Sequence, residues 1–186
     1  LDPTDSPGSF LAEAIEALSE YSTAIPFTPE PENFVSIVST AELVLINEIV
    51  IWFSLCRVCR SSSSTLSALD LKEIWSKIRV HRADQLDADW GSFIEETDSL
   101  TVVTGAPKFA GTNKQSAREK ETVKASFGSN RADLAACWLL KGAEYASKSF
   151  AIAAFAVTNS VTQGSQVNEI WPRVFAEDVE IIFARQ

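Results

Sequence analysis

No lysine or arginine occurs in the first 56 residues, although nine carboxylates do, from Asp2 to Glu48. The rest of the chain carries sixteen charges of each sign, so the net charge of −9 belongs to the N-terminal segment alone. A stretch of one sign cannot neutralise itself; it stays solvated or lies against a basic surface. Cysteine is scarce, with three in 186 residues, which excludes a disulfide framework and favours a reducing compartment. Seven Gly and seven Pro argue against a turn-rich all-β fold. Methionine is absent, which predicts processing or trimming of the start. No basic n-region of a signal peptide is present, since Leu1 to Gly8 is acidic and holds two prolines. Gly-x-Ser-x-Gly elbows and glycine-rich phosphate loops are missing too. The expectation from these absences is a non-enzymatic protein without a cofactor.

What is there suits an ordinary globular chain, 46% hydrophobic and 22% charged. The most apolar stretch, Phe34 to Val58, holds Glu42, Asn47 and Glu48. Each charge would cost about 3 kcal/mol at the centre of a bilayer, so a buried core element is expected and no membrane partner. Its Val and Ile content permits either a helix or a pair of short strands. Ser6-Pro7 reads as a helix start, followed by Phe10, Leu11, Ala14, Ile15, Leu18 and Tyr21 at helical spacing. Helical spacing returns over Leu66 to Val80, and alternating charges over Ser116 to Ala125 describe a solvated helix. Asp84 to Asp98 reads as a short acidic helix around Trp90. Thr101 to Gly105 reads as a brief strand or turn. Asn130 is a candidate N-cap for a helix reaching Val157, with Ala135, Leu139, Gly142, Ala146, Phe150, Ala153 and Val157 on one stripe. The small residues of that stripe predict close approach of another helix. The fold class expected is therefore mainly α: a helical bundle around a long central helix, with an acidic arm over 1–32, a core domain over 33–186 and room for a short strand pair.

Several constellations could carry chemistry. Cys56-Arg57-Val58-Cys59 is a CxxC after an apolar run and looks like the approach to a thioredoxin-like active site, in which Cys56 would attack and Cys59 resolve. Two small buried residues one helical turn apart explain it equally. Adding His81 and Cys137 would complete a Cys3His zinc set, but no second short-spaced pair exists, so no metal is expected. Glu95, Glu96 and Asp98 could form a catalytic pair or a solvated acidic face. Two basic blocks stand out, each net +4: Arg57 to Arg82, with Arg57, Arg60, Lys72, Lys77, Arg79 and Arg82, and Lys108 to Lys148, with Lys108, Lys114, Arg118 and Arg131 among its cations. Such local excess is what a phosphate track requires. Neutralising the acidic segment of a neighbour is the alternative use.

Leu71-Lys72-Glu73-Ile74-Trp75-Ser76-Lys77-Ile78-Arg79-Val80, continuing to Trp90, Asp98 and Gly105, resembles the start of the helical core in coat proteins of flexible filamentous (potexvirus-like) plant viruses. The likeness covers about a fifth of the chain. An Arg-containing core segment and an Ala-Phe-Asp-Phe-Phe-like stretch of that family are not found, so its RNA-contacting residues are not carried over. The resemblance implies a self-assembling structural subunit, a homo-oligomer or filament packaging single-stranded RNA, in the cytoplasm or a virion. A thioredoxin-like oxidoreductase and a monomeric helical interaction module are the alternatives.

Overall fold

A computed structural model describes residues 1–21, 30–62, 68–94 and 99–185, the side chains at 21, 60–62, 68 and 69 excepted. The chain divides into two compact units, Leu1–Ile94 and Glu95–Gln186.

In the first unit, α1 (Ser9–Tyr21) precedes β1 (Val35–Val38), α2 (Ala41–Ser62), α3 (Ala68–Lys77) and β2 (Arg79–Arg82). β1 and β2 are parallel, with Val35 opposite Arg79 and Val38 opposite Arg82. Asp2 extends the pairing on the other side of β1 through a parallel bridge to Ser36; its N–H donates to the Val35 carbonyl and its carbonyl accepts from Ile37. Parallel neighbours need long crossovers, and α1 and then α2–α3 supply them. The apolar run read as helix or strands is both. The four residues of β1 are all buried, and the helix α2 begins three residues after it.

The helix core gathers Leu11 and Ile15 of α1, Ile51 and Leu55 of α2 and Ile74 of α3, together with Phe34 just before β1. Of the segment 1–32 expected as an acidic arm, residues 1–21 supply a sheet residue and a buried helix face of this unit. Glu16 of the acidic segment is paired with Arg57 at 2.8 Å within the same unit.

The second unit runs β3 (Thr101–Gly105), α4 (Ala117–Phe127), α5 (Ala135–Lys148), β4 (Ala151–Phe155) and α6 (Gln166–Phe175). β3 and β4 are parallel in register Thr101↔Ala151 to Gly105↔Phe155. The expected single helix over 130–157 is therefore a helix followed by a strand. The chain turns extended at Ser149, φ −137° and ψ 157°, and the apolar residues after it pair with β3. A Cβ on Gly142 would lie 2.9 Å from the Phe155 ring and 3.0 Å from the Ala153 Cβ. The small-residue stripe does permit close approach, but of a strand. These parallel pairs with helical crossovers make the chain α/β, correcting the mainly α expectation; β1, buried at all four positions, and β4, a run of Ala, Ile and Phe, show no polar alternation and so imitate core helices.

Candidate functional site

Ligands of parallel α/β sheets lie beyond the carboxyl ends of the strands. In the first unit that edge is formed by the turn Pro3–Gly8, by Ser39 and Thr40 after β1, and by the segment after β2. The turn is held tightly. The Asp2 carboxylate accepts hydrogen bonds from the Thr4 N–H at 3.1 Å and the Thr4 hydroxyl at 2.6 Å, and from the Ser6 hydroxyl. Burial pushes its pKa up, against these bonds. Asn47 of α2, fully buried, donates to the Ser6 carbonyl at 2.8 Å and accepts from the Ser36 hydroxyl at 2.9 Å. Gly8 adopts φ +80°, and a Cβ there would meet Asn47 and Val50 at 3.3 Å, so only glycine seats the start of α1 against α2 without strain.

Asp5 occupies the mouth itself. It is a non-glycine residue at φ +55°, and its carboxylate accepts from the Ser39 N–H at 2.6 Å and the Ser39 hydroxyl at 2.8 Å. The buried Gln85 side chain donates to it as well. Arg82, at the end of β2, reaches the Ser39 carbonyl at 3.4 Å.

In the second unit the loop 106–116 leaves the carboxyl end of β3. Asp133, fully buried, accepts from the Ala110 N–H at 3.3 Å and the Ala135 N–H at 2.9 Å. Gln115, also buried, donates to the carbonyls of Ala110 and Ala132 at 2.8 and 3.0 Å. These two side chains pin the loop at Ala110 and leave its outer residues in solvent. Phe109 is 49% exposed. Lys108 pairs with Glu119 at 2.7 Å; together with the Ser116 capping box, that pairing lowers the Glu119 pKa to about 2.

The predicted site residues scatter over both units. Arg57 lies on α2 against Glu16, and Lys77 on α3 against Glu73 at 3.1 Å. Arg79 donates to the Phe93 carbonyl at 2.8 Å, and Lys72 is exposed. Lys114 and Arg118 are exposed beside the β3 loop, and Arg131 lies 3.7 Å from Glu169. The Arg60 side chain and residues Glu95, Glu96 and Asp98 lie outside the described residues. Cys56 and Cys59 fall deep in the 22-residue helix α2, not at a helix N-terminus, and pack beside the core. Burial raises both thiol pKa values, the opposite of what an attacking thiolate requires. His81 of β2 lies 4.8 Å from the Phe93 ring, its pKa lowered by burial and by Arg79. Cys137 is buried, its pKa pushed up to about 11. Among the described residues no cluster of His, Cys, Asp and Glu could hold a metal ion, and no helix is long and apolar enough to cross a membrane.

Residues 31–186 match the family described as MmeI, DNA-methyltransferase domain. The chain belongs to that family. DNA methyltransferase A of Bacillus subtilis (strain 168) is 35% identical over 110 residues, covering 56% of this chain and 12% of the relative. The solved structure of the Type IIL restriction-modification enzyme MmeI in complex with DNA superposes with a TM-score of 0.80 at 23% identity, over 95% of this chain and 26% of that one. The chain thus spans about a quarter or less of the relatives it matches.

Membership of this enzyme family overturns the coat-protein resemblance and the non-enzymatic expectation. It overturns the self-assembling filament around single-stranded RNA, the virion location, the thioredoxin-like alternative and the interaction module as well. The segment Leu71 to Val80, which carried the resemblance, is α3 turning into β2. Its Trp75, 39% exposed, packs edge-on against Trp52 with ring centroids 5.9 Å apart, a contact that any amphipathic helix can make. Sequence reasoning missed Asp5, Ser39, Gln85, Phe109 and Gln115, because no local pattern marks them.

A DNA methyltransferase implies a methyl donor, S-adenosylmethionine, which carries a nucleoside. Nucleoside clefts in α/β sheets use a glycine-rich first turn, which lets the backbone approach the ligand, and an acidic side chain for the ribose hydroxyls. In the first unit the turn has two prolines and one glycine, and that glycine serves packing on α2. β1 ends in the fully buried Val38. The carboxylate at the mouth, Asp5, is already bonded to Ser39 and Gln85. In this arrangement the residues present do not fit an adenosyl group.

Proposed function

We propose that this chain is part of a DNA-methyltransferase domain of restriction-modification type and engages double-stranded DNA, in the cytoplasm where such DNA lies. The observation that carries this reading is the family match over 31–186. The DNA-bound neighbour of the same fold supports it, as does the chemistry of the loop after β3. Enzymes that modify a base within a duplex take it out of the stack and hold it against aromatic or apolar side chains. Phe109 is an exposed aromatic at the carboxyl end of a parallel strand, on a loop whose base is pinned by Asp133 and Gln115. Around it Lys108, Lys114 and Arg118 supply cations for phosphate, and Arg131 stands before α5. In the first unit Arg57, Arg60, Lys72, Lys77, Arg79 and Arg82 are the remaining phosphate candidates.

Fluorescence anisotropy of a labelled duplex tests the reading. Binding is expected at low ionic strength and should fall by orders of magnitude between roughly 50 and 200 mM salt, as counterion release dictates when several phosphates are neutralised. No binding to any duplex at about 50 mM salt, by folded protein, would overturn the proposal.

A further inference from the structure

We propose that the carboxyl edge of the first unit's sheet is a structural clasp that admits no nucleoside, so that duplex binding by this chain is independent of S-adenosylmethionine. The second half rests on the methyltransferase reading, which the clasp refines: the chain supplies engagement of DNA and not of the methyl donor. The clasp itself rests on the fold alone. Three observations carry it.

The polar groups of the edge are spent on one another. A nucleoside cleft has to offer backbone and a carboxylate to its ligand. Here the Ser39 N–H and hydroxyl both go to Asp5, and the Thr40 hydroxyl accepts from the Leu43 N–H at 3.3 Å at the start of α2. Beyond β2 the Ala83 N–H donates to the Val38 carbonyl at 2.9 Å. The Asp84 carboxylate accepts from the N–H groups of Leu86 and Asp87 at 3.1 and 3.2 Å. In the turn before α1, Thr4 and Ser6 are bonded to Asp2.

The closure joins distant segments and is anchored from behind. Asp5 meets Ser39 and Gln85, which follow it by 34 and 80 residues. Gln85 is 6% exposed, and Trp90, 1% exposed, donates its indole N–H to the Gln85 carbonyl at 2.8 Å. Hydrogen bonds to a carboxylate are the strong kind, and a buried donor left unpaired is costly. Breaking the bridge therefore costs stability.

The turn itself has no shape to give. Pro3 and Pro7 fix their φ angles and lack N–H donors, and Gly8 is seated against Asn47 and Val50. Asp5 holds φ +55°, a setting that Asp and Asn tolerate best among residues with side chains. Close approach of backbone to a ligand requires glycine, and Thr4 and Ser6 stand there instead, both buried. Removing the Asp5 carboxylate thus uncovers no cleft.

Calorimetric titration of S-adenosylmethionine into the full chain, up to about 1 mM, tests this, since dissociation constants up to that order give saturable heat. None is expected, and no rise in melting temperature, which binding to the folded state would produce. Duplex affinity should be the same with and without the donor. Asp5→Ala and Gln85→Ala should each lower the melting temperature by roughly 3 °C or more and still give no heat with the donor. The double variant should lose clearly less than the two losses added, because both break one bridge. Asp5→Asn, which suits the backbone setting and keeps an acceptor, should lose less than Asp5→Ala, and it carries the test with Gln85→Ala if the alanine variant does not fold. Saturable donor binding by the wild type or by any folded variant overturns the proposal, as does a duplex affinity that the donor changes. Folded variants as stable as the wild type overturn the clasp. A chain that binds both donor and duplex loses this inference alone; one that gives no donor heat and never binds duplex loses the DNA reading and keeps the clasp.

Discussion

Asp133 organises the loop after β3 with one oxygen. Its Oδ1 accepts from Ala110 on the loop and Ala135 at the start of α5, while its own N–H donates to Gln166 at 2.9 Å. Asp133→Ala should therefore cost roughly 1.5–3 kcal/mol, the range for losing hydrogen bonds to a charged acceptor; urea unfolding measures it, and a neutral result would mean that the loop is not held there. Burial raises the Asp133 pKa above its ordinary 3.8, against the two N–H bonds. The folded state then keeps this proton to higher pH than the unfolded state. The contribution is full below the unfolded value and is lost as pH rises through the folded one. Asp133→Asn retains the accepting oxygen and removes that pH dependence, so the difference in stability between wild type and Asn variant should shift across this window and level off above it. A constant difference from pH 3 to 7 would contradict the assignment. The sequence reading saw the start of this helix but assigned the cap to Asn130. The N–H of Ala135 falls instead to Asp133, a matter of three residues that only the backbone path decides. Asp5 was invisible for another reason: its partners follow it by 34 and 80 residues, and no local spacing encodes such distances.

Element by element, periodicity located helices well and strands poorly. α1 and α3 carry apolar residues at helical spacing and α4 alternating charges, and all three lie close to where those patterns put them; β3 stands where a brief strand or turn was expected, β1 fell in a run open to a helix or to strands, and the start of β2 and all of β4 were absorbed into neighbouring helices. The cause is physical. β1 is buried at all four positions and β4 is a run of Ala, Ile and Phe, so neither shows the alternation that marks a strand with one wet face. The buried face of α5 is correspondingly different from the stripe expected for one long helix. Leu134, Trp138 and Leu140 are 3, 5 and 7% exposed, whereas Phe150, beyond the end of the helix, is 69% exposed, and Leu139 is half-buried. Leu140→Ala should cost about 2–5 kcal/mol and Leu139→Ala clearly less, since cavity cost follows burial. The reverse order in denaturant midpoints would mean that α5 presents another face. Gly142→Val is the complementary test. Its side chain would have to enter the space held by Phe155 and Ala153, and overpacking of this kind costs about 1–3 kcal/mol or more. A variant as stable as the wild type would remove the contact between α5 and β4 from the account.

At the scale of the molecule, the proposed DNA binding would bring a chain of net charge −9 to the duplex against its own field, so affinity would have to come from local cations freed to meet phosphate. Composition could show that two basic blocks exist but not which cations face outward, because that depends on the acids the fold brings beside them. Arg57, Lys77 and Lys108 each have a carboxylate within 3.1 Å. The Lys108 partner, Glu119, has a pKa of about 2, so it is ionised at every working pH and shields Lys108 from a phosphate. Glu119→Gln should release that lysine and strengthen duplex binding at low salt. Lys108→Ala in the Glu119→Gln background should reverse the gain, as an electrostatic origin demands. Lys114→Ala, exposed on the same loop, should flatten the plot of log affinity against log salt by about 0.9, one phosphate's share of counterion release. The same substitution at Lys72, in the first unit, reports whether α3 also meets the duplex. If neither Lys108→Ala nor Lys114→Ala changes affinity or slope while the wild type binds, the loop after β3 does not face DNA, and the cations of the first unit have to carry the interaction.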